Sequence, residues 1–167
     1  MVVNQELLSL GLVTKNYLKN HFVEFLETKH SKKTLAKTRH AAAEKHLKPV
    51  EAFEYEIKHR LSNAAHEVLH AITRIEESKK ARSSSDLKDF LRYARTSLEE
   101  ADRELDAAES LNNSLSTYEQ RVSESSTVLG HEVRPIMDDL FAKTEQLRAL
   151  QKALSSKISS MLGTGIK

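Results

Sequence analysis

The sequence predicts an all-α fold, an antiparallel up-down helical bundle of about four long helices. Three observations predict it. Four Gly and two Pro in 167 residues leave few places for turns. Leu, Ala, Glu, Lys, Ser and Arg dominate while aromatics reach only 5%, which favours helices over sheets. Apolar residues recur over long stretches at steps of three and four, the spacing of one helix face.

The first predicted helix spans about 4–29. Asn4 is a good N-cap, and the apolar stripe is Leu7, Leu8, Leu12, Tyr17, Leu18, Phe22, Phe25 and Leu26. The second spans about 31–81. Pro49 removes a backbone donor and crowds the preceding turn, which predicts a kink or break there. Beyond it Phe53, Ile57, Leu61, Ala64, Val68, Ala71 and Ile75 form a regular stripe with heptad spacing from Ile57 on. The run RSSSD at 82–86 reads as a turn, with Ser84 or Ser85 as the next N-cap.

The third predicted helix spans about 85–128. Its stripe is Leu87, Leu91, Ala94, Leu98, Ala101, Leu105 and Ala108, again in heptad steps. Leu111, Leu115, Tyr118 and Val122 continue it in a shifted phase, so a stammer or short break is expected at Asn112 and Asn113. Gly130 ends this helix in the reading, and the fourth spans about 131–162 with Pro135 in its first turn, where a missing N–H costs little. Residues 1–162 form a single domain, followed by a frayed tail at 163–167.

Helices two and three approach about 45–50 residues, or roughly 65–75 Å, whereas helix one reaches only about 40 Å. Helices two and three therefore form a projecting coiled-coil hairpin with its tip near Arg82. Alanine at alternate core positions lets the two legs approach closely but buries little area, so a bare arm is marginal and gains from a partner or a second copy.

Composition narrows the function classes. There is no Cys, which excludes disulfides, thiolate metal sites and cysteine nucleophiles. An intracellular, cytoplasmic location is the expectation. No apolar run approaches a membrane span. The N-terminal stretch lacks a leading basic region and carries Glu6, unlike a signal peptide. Glycine-rich phosphate loops and nucleophile-elbow motifs are missing as well.

One stretch matches a catalytic pattern: HEVLH, His66 to His70, the H-E-x-x-H string of zinc proteases. Successive helical residues advance about 100°, so with Val68 on the core stripe His66 and His70 each lie about 200° from it. Both point to solvent, and no sheet is predicted to hold a peptide beside them. The pair reads as a solvated helix face, at most a surface site for adventitious metal. Glu27–His30 and Glu67–His70 also match the E-x-x-H element of di-iron bundles, but the core stripes hold Leu, Ala, Val and Ile where such a site needs carboxylates. No catalytic residue, metal centre or cofactor is assigned.

Charge is unevenly spread. Residues 1–50 carry nine Lys/Arg against four Asp/Glu, and residues 85–129 carry five against ten. Lys29, Lys32, Lys33, Lys37, Arg39, Lys45 and Lys48 make a basic surface, opposed only by Glu44. The acidic stretch EEADRELDAAE at 99–109 should lie beside residues 58–70 if helices two and three are antiparallel.

These readings converge on a non-enzymatic helical scaffold or adaptor, a protein–protein interaction subunit of a larger assembly. Its partner, another protein or a second copy, is a helix packed on an apolar coiled-coil seam of Ile57, Leu61, Leu87, Leu91, Leu98 and Leu105. The alternative is binding of an anionic membrane surface or nucleic acid through the basic stretch.

Overall fold

The computed structural model describes Leu18 and residues 41–164, with the side chains of 41–47 and 164 left aside. The described residues form three helices: α1 (Ala41–Ser78), α2 (Ser84–Ser125) and α3 (Thr127–Thr164). The predicted first helix lies outside them except for Leu18, which is helical and 1% exposed within the core.

The described residues run up, down, up. Arg60 of α1 pairs with Glu104 of α2, and Phe53 lies against Tyr118, so α1 and α2 are antiparallel. Gln151 of α3 reaches the Leu98 carbonyl while Thr144 meets Asn112, so α2 and α3 are antiparallel too. The acidic stretch thus sits where the heptads placed it, beside residues 60–63.

Each helix buries a heptad stripe. On α2 it is Leu91, Ala94, Leu98, Ala101, Leu105, Ala108, Asn112, Leu115, Glu119 and Val122, in unbroken alternation of three and four. The stammer expected at Asn112 is therefore absent, and α2 is continuous through it. The apolar pattern lapses there because two core positions are polar, not because the helix changes phase. On α1, Val50, Ile57, Leu61, Ala64, Val68, Ala71 and Ile75 form the main stripe, with Ser62, Ala65 and Ile72 on a second buried line. On α3, Val133, Leu140, Thr144, Leu147, Gln151, Leu154 and Ile158 are buried.

Several boundaries differ from the sequence reading. Helix α1 runs on through Pro49 without a break. Val50, 1% exposed directly after it, starts the buried stripe that holds the backbone helical. The start near Ser31 lies outside the described residues. The N-cap of α2 is Ser83, one residue before the expected serines, and its side chain accepts from the Asp86 N–H at 3.1 Å.

The break between α2 and α3 falls at Ser126, not at Gly130. Ser126 is extended, with φ −156° and ψ 115°. Its N–H donates to the Val122 carbonyl at 2.8 Å, its own carbonyl accepts from Gly130 N–H, and its hydroxyl lies 3.4 Å from Leu129 N–H. Serine competes with the helical backbone for these groups, which is why it can cap both sides. Gly130 is buried inside α3, so Pro135 stands in the interior of that helix rather than in its first turn.

The earlier start lengthens α3 to 38 residues. Ile158 is 1% exposed, and Lys157 lies close enough to Lys79 at the α1–α2 turn to feel its charge. Helix α3 therefore flanks the hairpin to its tip, and among the described residues no two-helix arm projects beyond it.

Gly130 has a reason at this junction. A Cβ there would meet Ser123 Oγ at 2.1 Å, and its Cβ and Cα at 3.0 and 3.1 Å. Glycine to alanine in a helix interior ordinarily stabilises by about 1 kcal/mol. Here overpacking against Ser123 dominates, and Gly130→Ala is expected to destabilise by about 1–3 kcal/mol in thermal unfolding. A Ser123→Gly change should recover part of the loss. Melting curves that coincide for wild type and Gly130→Ala would show that the junction has slack.

Candidate interaction surfaces

The predicted partner seam is not a surface. Ile57, Leu61, Leu91, Leu98 and Leu105 are at most 2% exposed, inside the chain's own core. Leu87 is half-buried at its edge. Such a seam is available to a partner only if the bundle opens, because the same positions serve core and interface alike.

In the HEVLH stretch, Val68 is buried while His66 and His70 are exposed, as the helical geometry requires. His70 Nδ1 lies 4.0 Å from Glu67, its neighbour three residues back. Among the described residues no group of three His, Cys, Asp or Glu is placed to hold a metal ion. Of the basic surface, Lys48 is exposed; Lys29, Lys32, Lys33, Lys37, Arg39 and the Lys45 side chain lie outside the description.

The acidic stretch is largely matched from within the chain. Arg148 of α3 reaches Asp102, Asp106 and Glu109 together, the last two at 2.8 Å. Glu104 accepts from Arg60 at 3.2 Å and Asn63 at 3.5 Å. Arg148 was invisible to sequence reasoning because its three partners lie some forty residues away. Burial opposes its charge, yet hydrogen bonding to Asp106 and the surrounding carboxylates raise its pKa above the ordinary guanidinium value. Arg148→Met should leave three mutually repelling carboxylates on α2. Because these acids are about half exposed, the expected loss is only about 1–2 kcal/mol, shrinking as salt rises. Denaturant midpoints at low and high salt measure both parts; equal losses at the two salts would make Arg148 a packing residue alone.

A second feature missed from sequence is a polar layer in the core. Asn112 Nδ2 donates to Thr144 Oγ1 at 2.9 Å, and the Thr144 hydroxyl donates to the Leu140 carbonyl at 2.7 Å. The Asn112 Oδ1 is buried without a partner. Glu119, 5% exposed, accepts from Ser123 and Arg134. On the α1–α3 side, Glu54 pairs with Lys58, which also senses Asp139 and Lys143 of α3. Desolvation outweighs these acids and holds the Lys58 ammonium below its usual pKa. Away from the tip, Glu54, Asn112, Glu119 and Thr144 thus interrupt the apolar core, as Gln151 and Ser78 do nearer the tip.

Large apolar side chains that remain exposed are few among the described residues: Tyr55 at 51%, Tyr93 at 62% and Val128 at 70%. Tyr55 stacks on His59, and the Arg74 guanidinium lies 5.7 Å from the Tyr93 ring centre. Arg74 also holds Glu77 at 2.8 Å. Tyr93 and Arg74, joined across α1 and α2 near the tip, are the residue types that anchor protein interfaces. No helix of the described residues is long and apolar enough to cross a membrane. Compared with protein-family models, with curated proteins and with solved structures, the chain matches none.

Proposed function

We propose that the chain is a non-enzymatic helical scaffold or adaptor that holds another protein by helix packing. The observation that supports this reading best is the architecture itself. Three helices of 38, 42 and 38 residues bury continuous stripes and present long polar faces outward. Within the proposal the bundle has four helices, the N-terminal stripe around Leu18 supplying the fourth; the burial of Leu18 to 1% exposure supports this. Partner contact then falls on the outer faces, with Tyr93 and Arg74 as its anchors, rather than on the buried leucines.

The test is a pull-down from the native source with three baits: wild type, a Tyr93→Ala/Arg74→Ala variant, and a Lys32, Lys33, Lys37 and Arg39 to Glu variant. A protein partner held by wild type and lost with the first variant alone supports the adaptor reading. Lipid or nucleic acid lost with the charge reversal alone, with binding that weakens steeply in salt, would instead put function on the basic stretch.

A further inference from the structure

The α2–α3 junction is shorter than the two to eight residues that ordinarily connect helices in bundles. Only Ser126 is non-helical, between Ser125 and Thr127. Nothing else there demands a turn: among the described residues no glycine and no other residue has positive φ, and Gly130 is itself helical.

The heptad pattern also passes through the junction without a shift. From Val122 the steps four, three, four, three, four lead through Ser126, Leu129, Val133 and Ile136 to Leu140. Val122, Val133 and Leu140 are buried, while Leu129 and Ile136 are half-buried against the core. A loop that only had to reverse the chain would have no need to keep this phase. Closure also brings Gly130 close to Ser123, an approach that its missing side chain permits, and takes the N–H groups of Thr127, Val128 and Leu129 out of helical pairing with the carbonyls of Ser123, Glu124 and Ser125.

We infer that Ser126 is a hinge for exchange of α3 between two copies of this chain. With Ser126 helical, α2 and α3 become one rod from Ser84 to Thr164. The α3 half of each rod then packs on the α1–α2 hairpin of the other copy. The exchange keeps the α2–α3 interactions away from the junction as intermolecular ones: Asn112 with Thr144, Gln151 with the Leu98 carbonyl, and Arg148 with Asp102, Asp106 and Glu109. It adds the missing backbone bonds and no longer needs the close approach of Gly130 to Ser123, while the closed form keeps the Ser126 cap. Swapping through a short hinge is a low-cost route to a dimer. This inference concerns self-association and stands apart from the adaptor reading.

The experiment is light scattering on the full chain across a concentration series, for wild type and Ser126→Ala. Alanine removes the cap that favours the closed form and favours a continuous helix. Wild type should pass from monomer to dimer as concentration rises. With two caps lost per dimer, Ser126→Ala should dimerise at roughly thirtyfold lower concentration. A second measurement identifies the exchange. The chain has no native Cys, so an Asn112→Cys/Thr144→Cys variant in the Ser126→Ala background can be oxidised as monomer and as dimer. The link should fall within one chain in the monomer and between chains in the dimer. Monomers throughout for both proteins, or a dimer whose link stays within one chain, would overturn the inference.

Discussion

Replacing Leu91, Leu98 and Leu105 together by serine is expected to unfold the whole chain rather than to release a partner from a folded one. The three side chains are 0%, 2% and 0% exposed, at alternate core positions of α2. Truncating one buried leucine to alanine costs about 2–5 kcal/mol, and a hydroxyl left without a partner adds to that. Three such losses remove roughly 6–15 kcal/mol, which matches the whole stability of an ordinary domain. Because α2 packs against both α1 and α3, no described helix keeps its core when this stripe is lost. The far-UV helical signal at 25 °C should collapse to that of a largely unstructured chain. Leu87 is the internal comparison: it is half-buried, so Leu87→Ser should cost less than half as much as any one of the three. A triple variant that kept its helical signal and a cooperative melt would show these leucines to be an open seam after all.

How far the fold was legible depends on where its information lies. Helices, the heptad stripes at 57–75 and 87–108, the outward turn of His66 and His70, and the apposition of 99–109 with 58–70 all follow from residue spacing. The structure shows each of them. Structure and residue pattern part where one residue type can serve two ends. Gly130 looked like a terminator because glycine so often ends helices, but here it permits the close approach of Ser123. Ser126 stands in a serine-rich run with nothing local to mark it, yet its backbone supplies the break. Pro49 was overruled by the buried stripe that follows it. The candidate site was less legible still. Periodicity finds apolar stripes but does not say whether the chain or a partner covers them; Ile57, Leu61, Leu91, Leu98 and Leu105 are covered from within, Leu87 only in part. Arg148 is defined by tertiary neighbours and leaves no local signature, and Asn112 shows in the sequence only as a lapse in the apolar stripe.

Asn112→Leu is expected to stabilise the protein by about 1–3 kcal/mol, raising the melting temperature by about 3–8 °C. Asn112 sits at a heptad core position with no exposure, and its Oδ1 has no donor. A buried unmatched acceptor costs about 1–3 kcal/mol, and burying leucine carbons in its place gains about 1–2 more. Against this stand the lost bond to Thr144, about 1 kcal/mol, and some crowding from the bulkier side chain. Thr144 is not orphaned, since its hydroxyl still donates to the Leu140 carbonyl. Glu119→Leu supplies the contrast. Glu119 is nearly as buried, but Ser123 and Arg134 satisfy it, so its replacement should gain little or lose stability. A lower melting temperature for Asn112→Leu would mean that the amide is matched by a bound water. If instead stability rises while the side chains lose their single ordered packing, the asparagine holds α2 and α3 in register at a cost in stability. That is the role a lone asparagine plays in a coiled-coil core.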